Sequence, residues 1–205
     1  MTPPIAIRAA IFDIGMVLLR FDFSMTVEKI RGRCSVGADQ IPLMLWGSGL
    51  VDAYDRGLID TEEFACKAST VIGFQGTGTE FISHWTDIFT PVDQMIARAH
   101  RWKERGMPLY LLSNTCESHI EFFTSRYDVF GIFDGAVYSC RGGLMKPEKQ
   151  IYEKLLREYS LEPSTTVFID DREENVSAAK ELGICAIRYE DEPKLIAALQ
   201  GIGLD

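Results

Sequence analysis

Residues 5–17 read IAIRAAIFDIGMV, and this stretch decides the fold. An apolar run ends at Phe12, and Asp13 follows it directly. A short apolar run that ends in this way is typical of a buried strand. In an open parallel sheet, ligands bind beyond the carboxyl ends of the strands. Asp13 is therefore a candidate functional residue.

Four more apolar runs alternate with amphipathic segments in the second half of the chain. The runs cover residues 108–112, 135–138, 166–169 and 185–189, and the segments cover 92–105, 117–126, 148–159 and 173–182. Gly106 and Gly183 stand where helices end with a glycine, and Pro147 stands where a first-turn proline belongs. Continuous apolar strands that alternate with helices predict an α/β fold with a central parallel sheet and helices on both faces.

Residues 16–90 break this alternation, because they contain no convincing strand. Apolar residues at helical spacing cover residues 23–33, 40–46, 50–56 and 80–88. Asp60 and Glu63 have the spacing of a capping box ahead of a further helix. We therefore predict two domains: a core formed by residues 1–15 and 91–205, and an inserted α-helical cap formed by residues 16–90.

The composition is that of an ordinary globular protein with an excess of acidic residues. The chain has 205 residues, of which 46% are hydrophobic and 25% charged, and its formal net charge is −9. The densest basic stretch is expected to be a solvated helix face, and its members are Arg98, His100, Arg101, Lys103 and Arg105. Nucleic-acid binding needs a clustered positive surface, so we expect no nucleic-acid partner.

Cysteine usage and hydropathy indicate the compartment. The five cysteines contain no CxxC pair, so neither a zinc site nor a disulfide framework is expected. No apolar run reaches the roughly 18 residues of a membrane span, and the N-terminus lacks the basic and apolar regions of a signal peptide. We therefore expect a cytoplasmic protein with reduced thiols and no membrane partner.

Polar residues also follow the later apolar runs. Ser113-Asn114 follow the second run, Lys146 lies in the loop after the third, and Asp170-Asp171 follow the fourth. Because ligands bind beyond the carboxyl ends of parallel strands, we expect these side chains to converge with Asp13 on one edge. Clustered carboxylates repel one another unless a cation lies among them, and oxygen ligands of this kind suit Mg²⁺.

Each residue type has a role that suits phosphoryl transfer. Asp13 is a candidate nucleophile that forms an aspartyl-phosphate. Mg²⁺ would bind Asp13, the backbone carbonyl two residues further on, and the paired aspartates. Ser113 and Asn114 can donate to the transferring phosphoryl oxygens, and Lys146 can neutralise the nucleophile and the developing charge. Phosphoryl transfer requires mainly such positioning and electrostatic stabilisation.

The ordered set of these residues resembles the four motifs of the haloacid dehalogenase superfamily, and the helical insert resembles its C1 cap. Within this superfamily, the sequences around Asp13 and Asp170 are similar to the α-D-glucose-1-phosphate phosphatase group and to the phosphatase domain of soluble epoxide hydrolase. The resemblance implies an Mg²⁺-dependent phosphatase with a Rossmann-like core. It also implies that Asp171 is the usual metal ligand, that Asp170 acts indirectly or through water, and that Asn175 holds the last position of the fourth motif.

One position departs from the superfamily pattern. The usual general acid and base is a second aspartate two residues after the nucleophile, and here that residue is Gly15. Gly15 can still offer its carbonyl oxygen to the metal. General acid–base catalysis is worth about 10²- to 10⁴-fold in rate. We therefore expect one of three outcomes: a substrate whose leaving group needs little protonation, such as a sugar 1-phosphate or an acyl phosphate; a substitute carboxylate, with Asp22 the nearest candidate; or a poor or inactive hydrolase. The first is favoured.

Three functions remain open at this point. The leading one is an Mg²⁺-dependent phosphatase for a small phosphorylated metabolite, with a sugar phosphate as one candidate, acting as a monomer or weak homodimer. The second is a 2-haloacid dehalogenase, since halide leaves without protonation. The third is a non-catalytic binding module of the same fold, which the glycine at position 15 keeps open.

Overall fold

The computed structural model of the protein describes residues 6–204. The strands found there are β1 (Ala9–Phe12), β2 (Leu19–Phe21), β3 (Phe89–Pro91), β4 (Leu109–Ser113), β5 (Gly135–Tyr138), β6 (Thr166–Asp170) and β7 (Cys185–Arg188). Five of them form a parallel sheet in the order β5-β4-β1-β6-β7. The predicted α/β fold with a central parallel sheet is confirmed. The predicted start of the first strand at Ile5 lies outside the described residues.

Helices cover both faces of this sheet. The helices are α1 (Ser24–Ile30), α2 (Gln40–Gly47), α3 (Leu50–Asp55), α4 (Thr61–Ile72), α5 (Gly78–Thr86), α6 (Asp93–Glu104), α7 (Glu117–Arg126), α8 (Lys149–Glu158), α9 (Glu173–Glu181) and α10 (Glu192–Gly201). Successive side chains of a strand point to opposite faces. Accordingly, Phe12 packs with α6, α7 and α10, whereas Ile11 packs with α8 and α9.

Two glycines and one proline test the predicted helix ends. Gly106 and Gly183 adopt φ angles of 79° and 82°, as expected for glycines that end a helix. The first-turn role predicted for Pro147 is wrong, because α8 begins at Lys149. The residues before the helix form a turn instead, in which the amide of Glu148 donates to the carbonyl oxygen of Met145 at 2.8 Å.

The segment between β1 and α6 differs from the prediction in one respect. It contains α1 to α5, as expected, but β2 and β3 also pair as an antiparallel two-stranded sheet. The prediction that no strand lies there is therefore wrong. Each of these strands has three residues, which is too short for an alternating pattern to be recognised. They form the two connections between the helical segment and the parallel sheet.

The helices between β2 and β3 have a hydrophobic cluster of their own. Residues from α1 to α5 pack around Tyr54, Phe64, Phe81 and Trp85, and Cys116 from the start of α7 closes this cluster. Asp60 caps α4 as predicted, accepting a hydrogen bond from the amide of Glu63 at 2.8 Å. The predicted domain boundaries near residues 15 and 90 stay a prediction.

Two further differences concern the surface and the end of the chain. Helix α10 was not predicted, although Asp191 caps it by accepting from the amide of Lys194 at 2.9 Å. Arg98 was expected on a solvated face, but it is 1% exposed and pairs with Glu192 of α10 at 2.5 Å. Its burial follows from the packing of α10 against α6. Within residues 6–204, no helix is both long and apolar enough to cross a membrane.

Candidate active site

The register of the sheet brings the predicted residues to one edge. Phe12 of β1 lies beside Leu111 of β4 and Ile169 of β6. These neighbouring strands therefore end together, which places Asp13 next to the loops that begin after β4 and β6. A cleft of about 120 Å³ is lined there by Asp13, Gly15, Met16, Phe21, Ser113, Asn114, Lys146, Asp171, Arg172 and Asn175. The structure thus brings together the residues that the sequence selected, apart from Asp22. Asp170 is fully buried and does not line the cleft, but it belongs to the same carboxylate cluster.

A buried ammonium group links two of the carboxylates. The Nζ atom of Lys146 lies 2.8 Å from Oδ1 of Asp13 and 2.6 Å from Oδ2 of Asp170, and its side chain is 1% exposed. Burial acts to lower the pKa of Lys146, but the two carboxylates outweigh burial and raise it. Lys146 is therefore a fixed positive charge beside Asp13.

The two consecutive aspartates have different surroundings. Asp170 is 0% exposed, and its carboxylate accepts hydrogen bonds from Lys146, from the amide of Arg172 at 2.9 Å and from Nδ2 of Asn175 at 2.9 and 3.1 Å. Asp171 is partly exposed, and no other residue among 6–204 donates a hydrogen bond to its carboxylate. Asp171 is therefore free to bind a cation, whereas Asp170 is held by protein donors.

Asp13 keeps one oxygen free. Its Oδ1 atom accepts from the amide of Ile14 at 2.7 Å and from Lys146, and Oδ2 has no donor among the described residues. Burial raises the pKa of the Asp13 carboxyl, the Lys146 ammonium lowers it, and the nearby Asp170 carboxylate raises it further, for a net increase. A second cation near Asp13 would favour the ionised form that a nucleophile requires.

The geometry of the carboxylates fits a magnesium ion. One oxygen from each of Asp13, Asp170 and Asp171 lies within 4.8 Å of the others. Three carboxylates surround one ammonium group, so the cluster has an excess of negative charge in a largely buried place. The carbonyl oxygen of Gly15 accepts no hydrogen bond from the described residues. These are hard oxygen donors of the kind that Mg²⁺ prefers.

Two asparagines form hydrogen bonds with the charged residues of the site. Asn114, a predicted donor to a phosphoryl group, also bonds through its side chain to the backbone of Lys146. The side chain of Asn175 is 2% exposed and donates to Asp170, and the backbone carbonyl oxygen of Asn175 accepts from the hydroxyl of Tyr152 at 3.0 Å. Both asparagines therefore position charged residues. Ser113 and Asn114 both line the cleft, and their donation to a phosphoryl group stays a prediction.

Asp22 does not join the cluster. It is exposed near the start of α1, where its Oδ1 accepts from the amide of Ser24 at 2.9 Å. Hydrogen bonds from Ser24 lower the pKa of Asp22, which disfavours proton donation. At Gly15, the space of a side chain is bordered by Phe21, whose Cε1 atom would lie 3.0 Å from an added Cβ.

A larger cavity adjoins the cleft and extends towards the helical segment. Its volume is about 340 Å³, and it shares Gly15, Phe21, Ser113, Asn114 and Arg172 with the cleft. Most of its other lining is apolar: Ile14, Phe23, Trp46, Val51, Trp85, Ile88, Phe89, Phe123 and Met145. The remaining polar members are Asp55, Thr115 and His119. These residues were not selected from the sequence, because no motif marks them and only the packing of α3, α5 and α7 brings them here.

The chain belongs to the haloacid dehalogenase-like hydrolase family, whose model matches residues 56–183. The recognition from the four motifs is therefore confirmed at the level of the family, and the protein is an enzyme of the hydrolase class. The narrower resemblance to the α-D-glucose-1-phosphate phosphatase group stays a prediction.

Three known proteins are similar over most of the chain. A sesquiterpene phosphatase, astK, from Aspergillus oryzae is 25% identical over 185 residues, which cover 90% of each chain. A D-ribitol-5-phosphate phosphatase from Bacteroides thetaiotaomicron is 25% identical over 185 residues, which cover 86% of this chain and 89% of that one. A haloacid dehalogenase family enzyme from the same bacterium, solved with magnesium and inorganic phosphate, superposes with a TM-score of 0.83 at 22% identity over 93% of this chain and 99% of that one. The last similarity establishes the fold alone.

Proposed function

We propose that the protein is an Mg²⁺-dependent phosphatase that hydrolyses a small phosphorylated metabolite through an aspartyl-phosphate on Asp13. The observation that carries this proposal is the buried Lys146 ammonium, which holds Asp13 on one side and Asp170 on the other. It leaves Oδ2 of Asp13 free near the carboxylate of Asp171, and these oxygens could hold Mg²⁺. When bound, the ion would supply positive charge that neutralises the phosphate oxygens.

Each residue of the site has its own role in the proposed reaction. Oδ2 of Asp13 attacks the phosphorus atom, and the bond to the leaving oxygen breaks. Lys146 favours the ionised form of Asp13 and stabilises the charge that develops nearby. The Ser113 hydroxyl, 3% exposed at the end of β4, donates to a phosphoryl oxygen. A water molecule then attacks the phosphorus, which releases phosphate and restores the Asp13 carboxylate.

The adjoining cavity is the proposed site of the leaving group. Its aromatic and aliphatic lining supports a substrate with a largely apolar body, since apolar surface removed from water stabilises a complex by about 25 cal/mol per Å². The similarity to a sesquiterpene phosphatase supports the same inference. A sugar or polyol phosphate, including a sugar 1-phosphate, is the second candidate, and the similarity to a D-ribitol-5-phosphate phosphatase favours it.

A substrate screen tests these proposals. Inorganic phosphate release would be measured from isoprenoid, aryl, polyol and sugar phosphates, with Mg²⁺ and with a chelator. We expect turnover with Mg²⁺ alone, and larger kcat/KM values for apolar phosphates than for sugar phosphates. Turnover restricted to sugar phosphates would overturn the apolar assignment, and equal turnover with the chelator would overturn the metal assignment.

A parallel assay of halide release from 2-haloacids separates the two alternatives. A 2-haloacid dehalogenase of this family needs no metal, so the paired aspartates would then be a costly accumulation of buried charge. Halide release without Mg²⁺ would identify that activity. A non-catalytic module would give neither product. Retention of Asp13, Lys146 and Asp171 in one cluster argues against it, because a binding module has no use for a free nucleophile.

A further inference from the structure

We propose that Asp55, at the end of α3, is the general acid and base that position 15 does not provide. This inference rests on the proposed phosphatase function and deepens it. Gly15 has no carboxyl group, and Asp22 is exposed and bonded to Ser24. A carboxyl group that replaces the usual acid must therefore come from another helix or loop. Helix α3 contributes Asp55 to the cavity next to Gly15.

Asp55 is the one carboxylate that lines this cavity among the described residues. The same cavity is lined by Gly15, Ser113 and Asn114, so it opens onto the phosphoryl site. A leaving group that extends from a phosphoryl group on Asp13 would enter this space. No donor among residues 6–204 bonds to the Asp55 carboxylate, so it is available to a substrate.

The position of Asp55 is tied to the core of the molecule. The hydroxyl of Ser139 donates to the backbone carbonyl oxygen of Asp55 at 2.6 Å, and it accepts from the amide of Thr115 at 2.9 Å. Thr115 lies two residues after Ser113, the last residue of β4. One buried hydroxyl therefore joins the end of α3 to the loop that follows Ser113, and the backbone of Asp55 is held in place relative to that loop.

The other titratable groups of the cavity are unsuited to this role. Nε2 of His119 lies 3.2 Å from the carbonyl oxygen of Trp85, and burial lowers the pKa of His119 to about 4. Its proton is thus engaged with the protein, and the ring stacks on Trp85. The guanidinium of Arg172 has only hydrogen-bond donors and no acceptor, so it cannot serve as a base. Asp55 is therefore the titratable group of the cavity that suits the role of general acid and base.

The surroundings of Asp55 favour its protonated form near neutral pH. Burial raises the pKa of Asp55 to about 7, and the carboxylate of Asp52 on the same helix adds to this increase. Arg56 is directed to Asp52 and Glu148. The thiols of Cys116 and Cys140 face Asp55 from α7 and from the turn after β5, and burial raises the pKa of both thiols to about 12, so they are neutral.

The proton transfers balance over one turnover. As Oδ2 of Asp13 bonds to phosphorus and the bond to the leaving oxygen breaks, the proton of Asp55 passes to that oxygen and an alcohol leaves. The Asp55 carboxylate then takes a proton from the water whose oxygen bonds to phosphorus. The bond between phosphorus and Asp13 breaks, phosphate leaves, and Asp55 is again protonated.

Two substrates of similar size test the proposal. The leaving group of 2-phenylethyl phosphate is an alkoxide that needs a proton, whereas 4-nitrophenolate leaves readily without one. For Asp55→Asn, we expect kcat/KM to fall about 10²- to 10⁴-fold with 2-phenylethyl phosphate, and by a much smaller factor with 4-nitrophenyl phosphate. Glu62→Gln, an exposed change on α4, serves as the matched control.

A second variant keeps the test independent of any folding defect. Adding Gly15→Asp to Asp55→Asn supplies an acid at the usual position, and the 40% exposed ring of Phe21 is the one group within 4 Å of an added Cβ there among the described residues. We expect this pair to recover much of the loss with 2-phenylethyl phosphate. Equal losses with both substrates, or no loss, would overturn the role of Asp55. Failure of the unmodified enzyme to hydrolyse 4-nitrophenyl phosphate with Mg²⁺ would instead overturn the phosphatase function.

Discussion

The side chain of Asn114 forms two hydrogen bonds with the backbone of Lys146. Its Nδ2 atom donates to the Lys146 carbonyl oxygen at 2.8 Å, and its Oδ1 atom accepts from the Lys146 amide at 2.8 Å. This pair joins the loop after β4 to the loop before α8. The position of the Lys146 ammonium between two carboxylates therefore depends on a residue from a different loop.

Removal of this pair is expected to reduce activity. In Asn114→Ala, Lys146 loses both bonds, and a displacement of about 1 Å in an active site can cost about 10²-fold in rate. We expect a kcat/KM reduction of that order for 4-nitrophenyl phosphate. Gln200→Ala, an exposed change on α10, should behave as the unmodified enzyme. Equal activity of both variants would show that Asn114 does not position Lys146.

Replacement of the buried ammonium should make folding more dependent on magnesium. Lys146→Met leaves Asp13 and Asp170 without their ion-pair partner, and breaking a buried pair costs about 3–5 kcal/mol. Because a ligand that binds the folded state stabilises it, we expect Mg²⁺ to raise the melting temperature of this variant more than that of the unmodified protein. Lys149→Met removes an exposed partner of Glu181 and is the control. The same Mg²⁺ increment in all three proteins would contradict the expectation.

His119 should make stability dependent on pH between about 6.5 and 4. Burial lowers the pKa of His119 to about 4 from the ordinary value of 6.5. Between these values the unfolded chain binds a proton that the folded chain does not, so stability is lost as the pH falls. The loss is on the order of 3 kcal/mol. Urea unfolding from pH 7 to pH 4 would measure it.

The matched comparison for this prediction uses two histidines. His119→Gln removes the buried imidazole, and His100→Gln removes an exposed one on α6. We expect the unmodified protein and His100→Gln to lose the same stability on acidification, and His119→Gln to lose less. If all three proteins follow one curve, the histidine at position 119 is not the group responsible.

The role proposed for Asp55 also predicts a pH dependence. Burial raises the pKa of Asp55 to about 7, and its proton is required only for the alkoxide leaving group. The ratio of kcat/KM for 2-phenylethyl phosphate to that for 4-nitrophenyl phosphate should therefore fall as the pH rises through about 7. The ratio cancels the titration of Asp13, which acts on both reactions, and the two phosphate groups titrate alike in both enzymes. We therefore expect the fall of the ratio near pH 7 to be lost in Asp55→Asn, and the same fall in both enzymes would contradict the assignment.

Much of the fold could be predicted because its signals are local. The strand that ends at Phe12 and helix α7 are recognisable from apolar runs and helical spacing. The strands β2 and β3 were missed because three residues contain no usable period. The burial of Arg98 was missed because it depends on Glu192, a residue of α10 far along the chain.

The candidate site, like the fold, could be predicted from the sequence only in part. Asp13, Lys146 and Asp171 each follow a strand of one parallel sheet, so their convergence follows from topology alone. Asp55 lies in the helical segment, where no rule relates position in the chain to distance from the sheet edge. Asp22 was chosen because it is close to Asp13 in sequence, but hydrogen bonding to Ser24 holds its carboxylate at the start of α1.

The central claim is that Asp13 is the nucleophile of an Mg²⁺-dependent phosphatase. The most direct measurement is phosphate release from 4-nitrophenyl phosphate by the unmodified enzyme and by Asp13→Asn, each with Mg²⁺ and with a chelator. We predict turnover by the unmodified enzyme with Mg²⁺, and a loss of several orders of magnitude in the other three cases. Full activity of Asp13→Asn with Mg²⁺ would contradict the account.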